Sequence, residues 1–425
     1  MKNLCFCFQM HVPTRLRRYR FPEIGQDHYY YDDLQTEELT EWIVNTSWLP
    51  LCRTLAEMIR LSKKRFRCAF AITGTTLELL EQYAPELIDV LKQLAETGCT
   101  EFVATPYSYS LAAAYNASEF ASQVEMQRGK VSEMFGTSTT TLWNTELLYD
   151  DESGATAYKL GYKTVMTEGA KHVLAWKSPN RVYQSCVNSR QKLLLRNMAL
   201  SDGLSFHFAD PAWKECPHDA GQLASLLASL PEDDQVVNIW MGAETFGIMQ
   251  PAHTGIFDFL KAIPYFALER NIGFTTPSEA ARQTASESLS VPYAMSWAGE
   301  GKDLSVYTGN DLQQEALQKL YAVTERVHLC EDKNLKENWL QLQDINHLHY
   351  MNHTEHGRSN YESAYDAFIN YMNVLADFLQ LVDEQYPTTI GNEELNSLLQ
   401  TIRNQEDEIA ALKQQLKDLK RKKKK

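Results

Sequence analysis

The chain has 425 residues, of which 44% are hydrophobic, 23% charged and 11% aromatic, enough apolar material for a large globular core. Its 55 acidic residues outnumber 41 basic ones, giving a formal charge of −14. That balance excludes nucleic acid and anionic membranes as main partners, and it suits a neutral substrate that needs no field to steer it.

The chain opens on an apolar run, 4–9, followed by His11 and Pro13. The run is too short for a secretory h-region and has no small-residue cleavage site, so it is predicted as a first strand. Further strands are predicted at 66–72, 102–105, 140–143, 164–167, 236–240 and 273–275. Several are apolar at nearly every residue, as expected of parallel strands covered on both faces. Helical patterns lie between them, notably 77–96 and 119–135. This βα alternation predicts a parallel sheet closed as a barrel, with its chemistry just beyond the strand ends. No stretch approaches the roughly 20 apolar residues of a membrane span.

From 311 to 385 the pattern is helical throughout, predicting a helical domain after a barrel over 1–310. Residues 386–392 (YPTTIGN) form a turn-rich linker. In 393–425, Leu395, Ile402, Ile409 and Leu416 repeat every seven residues, and Leu398, Leu412 and Leu419 fill the second heptad position. That spacing predicts a coiled-coil tail with a basic end, which would self-associate or pair with a partner helix. Eight cysteines with no C-x-x-C pair read as free thiols in a reducing compartment, and hence a cytoplasmic protein.

The most informative segment is 142–169, LWNTELLYDDESGATAYKLGYKTVMTEG, where a strand ends at Trp143 and Glu146 follows. A second is 242–249, GAETFGIM. Other chemistries find little support: there is no glycine-rich phosphate loop and no G-x-S-x-G. His347, His349, His353 and His356 do not form H-E-x-x-H, so neither a metal nor a cofactor is expected.

These segments resemble glycoside hydrolase family 57, in its α-amylase-like subgroup. The nucleophile region of that family reads aromatic, then Asn-Thr-Glu-Leu-Ile-Tyr, and further stretches follow in order: 71–86, 171–180, 193–202, 254–264 and 365–378. The resemblance implies an incomplete (β/α)7 TIM-like barrel followed by a helical bundle. It implies Glu146 as nucleophile, with His11, Trp143, Trp297 and Glu300 as substrate contacts for α-1,4-glucan or malto-oligosaccharide.

The resemblance also exposes departures. The family's general-acid aspartate falls at Gly242, which has no side chain to carry a proton. The family's glutamate and histidine before 111 are Thr105 and Tyr109, and its second aspartate after Ser201 is Gly203. Glu244 is the candidate substitute acid, but extended spacing would displace it about 6.6 Å along the strand, at about 3.3 Å per residue. The sequence therefore predicts an α-glucan-binding homologue with little or no catalysis. The alternative is an active retaining α-amylase or 4-α-glucanotransferase that uses Glu244.

Overall fold

The computed structural model describes residues 2–213, 217–353 and 360–385, with isolated positions between 398 and 413. Seven parallel strands close on themselves: β1 (Asn3–Met10), β2 (Cys68–Ile72), β3 (Thr100–Val103), β4 (Thr141–Trp143), β5 (Thr164–Glu168), β6 (Lys192–Arg196) and β7 (Val236–Gly242). β1 pairs with β2 from Phe6↔Cys68 to Met10↔Ile72, and with β7 from Asn3↔Val236 to Gln9↔Gly242. Two joints are minimal. The β3 end meets β4 through the bridge Ala104↔Leu142, and β6 meets β7 at Arg196↔Asn238. The (β/α)7 expectation is thus met with seven strands.

Period-two sorting along β1 explains the closure. Leu4, Phe6, Phe8 and Met10 face the core shared with the outer helices Leu49–Leu61 and Ile256–Glu269. Cys5 and Cys7 face inward with Ala69 and Ala71 of β2, beside Trp240, which is in register with Cys7 on β7, and in the same interior cluster as Trp143 of β4. Small residues on β1 and β2 leave room in the barrel interior for the two indoles. Replacing either tryptophan by alanine would leave a cavity that its small neighbours cannot close, at a cost of about 3–5 kcal/mol. Six described cysteines are buried and free, while Cys186 is free and exposed.

Two details differ from the sequence reading. The predicted helix at 77–96 is two helices, Gly74–Tyr83 and Pro85–Glu96, because Pro85 cannot donate the hydrogen bond that would continue the first. The barrel strand β6 was not among the predicted strands.

A second apolar cluster gathers the helices Asp311–Tyr321, Lys333–Leu342 and Ala364–Gln385. It also takes in Tyr19, Tyr30, Tyr109 and Tyr307 from elsewhere in the chain. Asp377 ties the N-terminal segment to the last helix by accepting hydrogen bonds from Tyr30 Oη at 2.6 Å and Gly25 N at 2.6 Å. In the predicted tail, the described residues Leu398, Ile402, Ile409 and Leu412 are helical and exposed. Gln405, which interrupts the second heptad series, is likewise helical and exposed, while Leu395, Leu416, Leu419 and the linker at 386–392 lie outside the described residues. Among the described residues no helix is long and apolar enough to cross a membrane.

Candidate active site

Glu146 sits in the turn that ends β4. Asn144 caps this turn, its Oδ1 accepting from Thr145 N at 2.9 Å and its Nδ2 donating to Leu148 O at 3.1 Å. Glu146 and Leu147 both adopt left-handed backbone, with φ 54° and 55°. For non-glycine residues this costs on the order of 1–3 kcal/mol each, and such strain clusters at functional sites. The turn aims the carboxylate into a cleft of about 620 Å³ at the C-terminal ends of the strands.

Three donors hold that carboxylate. Tyr109 Oη reaches Oε1 at 2.5 Å, while Trp297 Nε1 and Tyr307 Oη reach Oε2 at 2.8 and 2.7 Å. Trp297 is positioned by backbone pairing: its N–H donates to Glu146 O at 2.9 Å, next to the bridge Tyr149↔Met295. Burial and the neighbouring Glu146 push the Tyr109 phenol well above its ordinary range, so it stays a donor.

Across the cleft, β7 ends at Gly242 and the chain turns at once into the 3₁₀ turn Ala243–Thr245. This turn overrides the extended offset expected for Glu244. The Glu244 carboxylate folds back, and a β-carbon placed on Gly242 would lie 2.7 Å from its Oε2. Glu244 therefore occupies the space into which a residue-242 side chain would project. Trp48 Nε1 donates to its Oε1 at 3.0 Å. Burial raises the Glu244 carboxyl to about 7 against that hydrogen bond and the nearby His11. The loop is clamped from below. Ser47 Oγ donates to Ala243 O at 2.9 Å, and Gly247 (φ 102°) passes so close to Thr46 O that a β-carbon would meet it at 2.1 Å.

His11 follows β1, as expected, and lines the cleft. Its Nδ1 pairs with Thr73 Oγ1 at 3.0 Å and its Nε2 with Asp344 Oδ2 at 2.9 Å, while its ring stacks on Tyr109. Burial alone would raise the Asp344 carboxyl, but the His11 pair overrides it and holds the group low. Behind Trp297, Arg196 Nη1 donates to Glu168 at 2.8 Å and Nη2 to Asp202 at 2.5 Å, with its guanidinium over the indole.

Residues 5–294 match the profile described as glycosyl hydrolase family 57. A protein of Methanocaldococcus jannaschii that carries a provisional alpha-amylase name is 30% identical over 406 residues, covering 90% of this chain and 85% of its own. The chain belongs to glycosyl hydrolase family 57. Among solved structures, a family 57 branching enzyme of Thermococcus kodakaraensis aligns with TM-score 0.62 at 12% identity, covering 91% of this chain and 94% of its own. The 4-alpha-glucanotransferase of Thermococcus litoralis gives 0.61 at 16%, covering 89% of this chain. This chain spans 60% of that enzyme's length. At these identities the structural likeness establishes the fold.

On the family 57 frame, the cleft unites Glu146, Gly242, Glu244, His11 and Trp297. Two expected contacts are placed elsewhere. Trp143 is fully buried in the barrel interior, edge-on to Trp297 with ring centres 5.2 Å apart, and does not line the cleft. Glu300 is exposed and does not line the cleft, because Gly299 with φ 58° turns the chain outward just before it. His347 points away from the cleft and pairs with Gln341 O at 3.1 Å. No group of three or more metal-ligating side chains converges among the described residues, and His356 lies outside them.

Tyr307, Asp344 and Trp48 were not singled out from the sequence. They lie 161, 333 and 196 residues from the groups they bond. A family 57 member working by retention needs two carboxyls about 5–5.5 Å apart, one to attack and one to protonate the leaving oxygen. Glu146 has the donor-rich setting suited to the first role. Glu244, half-protonated near neutrality, has the acid–base character suited to the second.

Proposed function

We propose that the cleft binds α-1,4-glucan or malto-oligosaccharide and turns natural glucan over weakly or not at all. The reading is carried by the asymmetry of the pair: Glu146 retains its donors, whereas the strand end facing it carries Gly242. His11 and Trp297 contact the sugar, Trp143 supports them, and the barrel of 1–310 and the helices of 311–385 together form the site. The tail 393–425 self-associates or recruits a partner helix. The chain works in a reducing, cytoplasmic compartment, a reading supported by its free thiols.

The test uses aryl α-maltosides, whose leaving groups depart without protonation. Mass spectrometry is expected to find a glycosyl adduct on wild type and none on Glu146→Ala, with azide releasing it. No adduct on wild type would make Glu146 a relic as well. Sedimentation of the full chain against a chain ending at Thr388 tests the tail, and equal monomer masses at micromolar concentration would rule out self-association.

One observation favours a second reading. The Glu244 carboxyl fills the space beside Gly242 and titrates near 7, which suits a general acid. Robust starch hydrolysis by wild type, abolished in Glu244→Gln, would establish an active retaining enzyme with Glu244 as proton donor.

A further inference from the structure

A second cavity, of about 870 Å³, is larger than the catalytic cleft and shares no lining residue with it. It opens where the loop after β1 and the helix Asp33–Ile43 meet the helices Gly74–Tyr83 and Lys333–Leu342. Such a junction between packed units is a favoured place for ligand sites.

Its lining constrains the ligand. Four carboxylates reach it, from Asp33, Glu37, Glu78 and Glu337, and among the described residues no lysine or arginine does, which disfavours phosphates and other anions. The carboxylates come from three separate helices and do not converge as a metal-ligating group. Tyr29, Tyr31 and Tyr83 add aromatic faces. Two of these rings are tethered through their hydroxyls. Tyr31 Oη donates to Asn338 at 2.7 Å, and Tyr29 Oη donates to Asp33 at 2.7 Å while its ring stays 51% exposed. The side chains of Glu37, Gln82 and Glu337 reach the cavity with no protein hydrogen bond among the described residues. Fixed ring faces flanked by uncommitted acceptors and amides suit a neutral, polyhydroxylated ring.

The partition from the cleft is thin. Pro13 lines the cleft and Thr14 the cavity, and Thr14 Oγ1 donates across to Gln341 Oε1 at 2.7 Å. We infer that this cavity is a second α-glucan site, adjoining the cleft and independent of it. The choice of α-glucan among neutral saccharides rests on the ligand proposed for the cleft.

Affinity electrophoresis of the full chain in glycogen gels tests it. The double variant Tyr29→Ala/Tyr83→Ala is expected to bind about tenfold more weakly, both alone and combined with Trp297→Ala. Glu37→Lys/Glu337→Lys keeps the rings and is expected to weaken binding as well, which guards against a simple folding defect. If both cavity pairs migrate like wild type while Trp297→Ala abolishes retardation, the second site is overturned and the cleft reading stands. If Trp297→Ala changes nothing and both cavity pairs abolish retardation, the second site stands and the cleft reading falls. An unretarded wild type overturns both.

Discussion

The two walls of the cleft are built alike and chemically unlike. Each is a barrel strand that ends in a 3₁₀ turn with a glutamate at its centre, Glu146 after β4 and Glu244 after β7. On the β4 wall three donors from three separate segments converge on the carboxylate. On the β7 wall Trp48 is, among the described residues, the one side chain bonded to Glu244, and burial lifts that carboxyl to about 7. Environment, more than residue type, assigns acid–base roles to paired carboxylates. On the second reading proposed above, that environment gives Glu244, beside Gly242, the character of a proton donor.

The largest expected effect breaks the β4 wall. Glu146→Ala should lower the rate of adduct formation with aryl maltosides by about 10⁴-fold or more, measured by stopped-time mass spectrometry. Next, Gly242→Asp restores a carboxyl on the β7 wall and should raise starch turnover by about 10²–10⁴-fold in a reducing-sugar assay. The backbone permits it, since Gly242 has φ −62°, but the flexible end of Glu244 must swing aside. Tyr109→Phe removes one of three donors and should slow labelling of Glu146 about tenfold, read from the same time course.

The smallest effects concern pH. The folded-state carboxyl of Glu244 is raised above its unfolded value, so its protonated form is favoured by folding. Its contribution to stability is complete below about pH 4 and is lost as pH rises through about 7. The unfolding free energy of wild type from denaturant titrations should therefore fall between about pH 5 and 8 relative to Glu244→Gln, by on the order of 1–3 kcal/mol. Trp48→Phe deletes one of the two hydrogen bonds that oppose the rise, leaving the backbone one, and should move this transition upward by about one pH unit or less. An unchanged pH profile would remove the distinction between the walls.

Much of this comparison was legible in the sequence, because apolar runs on both-face-buried strands are conspicuous and Glu146 sits in a long motif. β6 was harder to see. Its Lys-Leu-Leu-Leu-Arg has only three apolar residues, all leucines, which favour helix as readily as strand. The position of Glu244 was also hidden, since a strand-based offset fails once the chain turns at Ala243. Tyr307, Asp344 and Trp48 carry no periodic signal. Their roles depend on loops and helices meeting in space, whereas two of the three Glu146 donors stood out beforehand, Tyr109 as a departure from a family histidine and Trp297 as an expected substrate contact.

The His11–Asp344 pair bears on when the site comes into being. His11 is made before its partner, which follows 333 residues later. At about 5–20 residues per second, the two are separated by roughly 17–67 s of synthesis. Throughout that interval His11 lacks its carboxylate partner. A nascent chain therefore cannot complete the His11 side of the cleft until the segment carrying Asp344 has been made and has docked, so the cleft is a late product of folding.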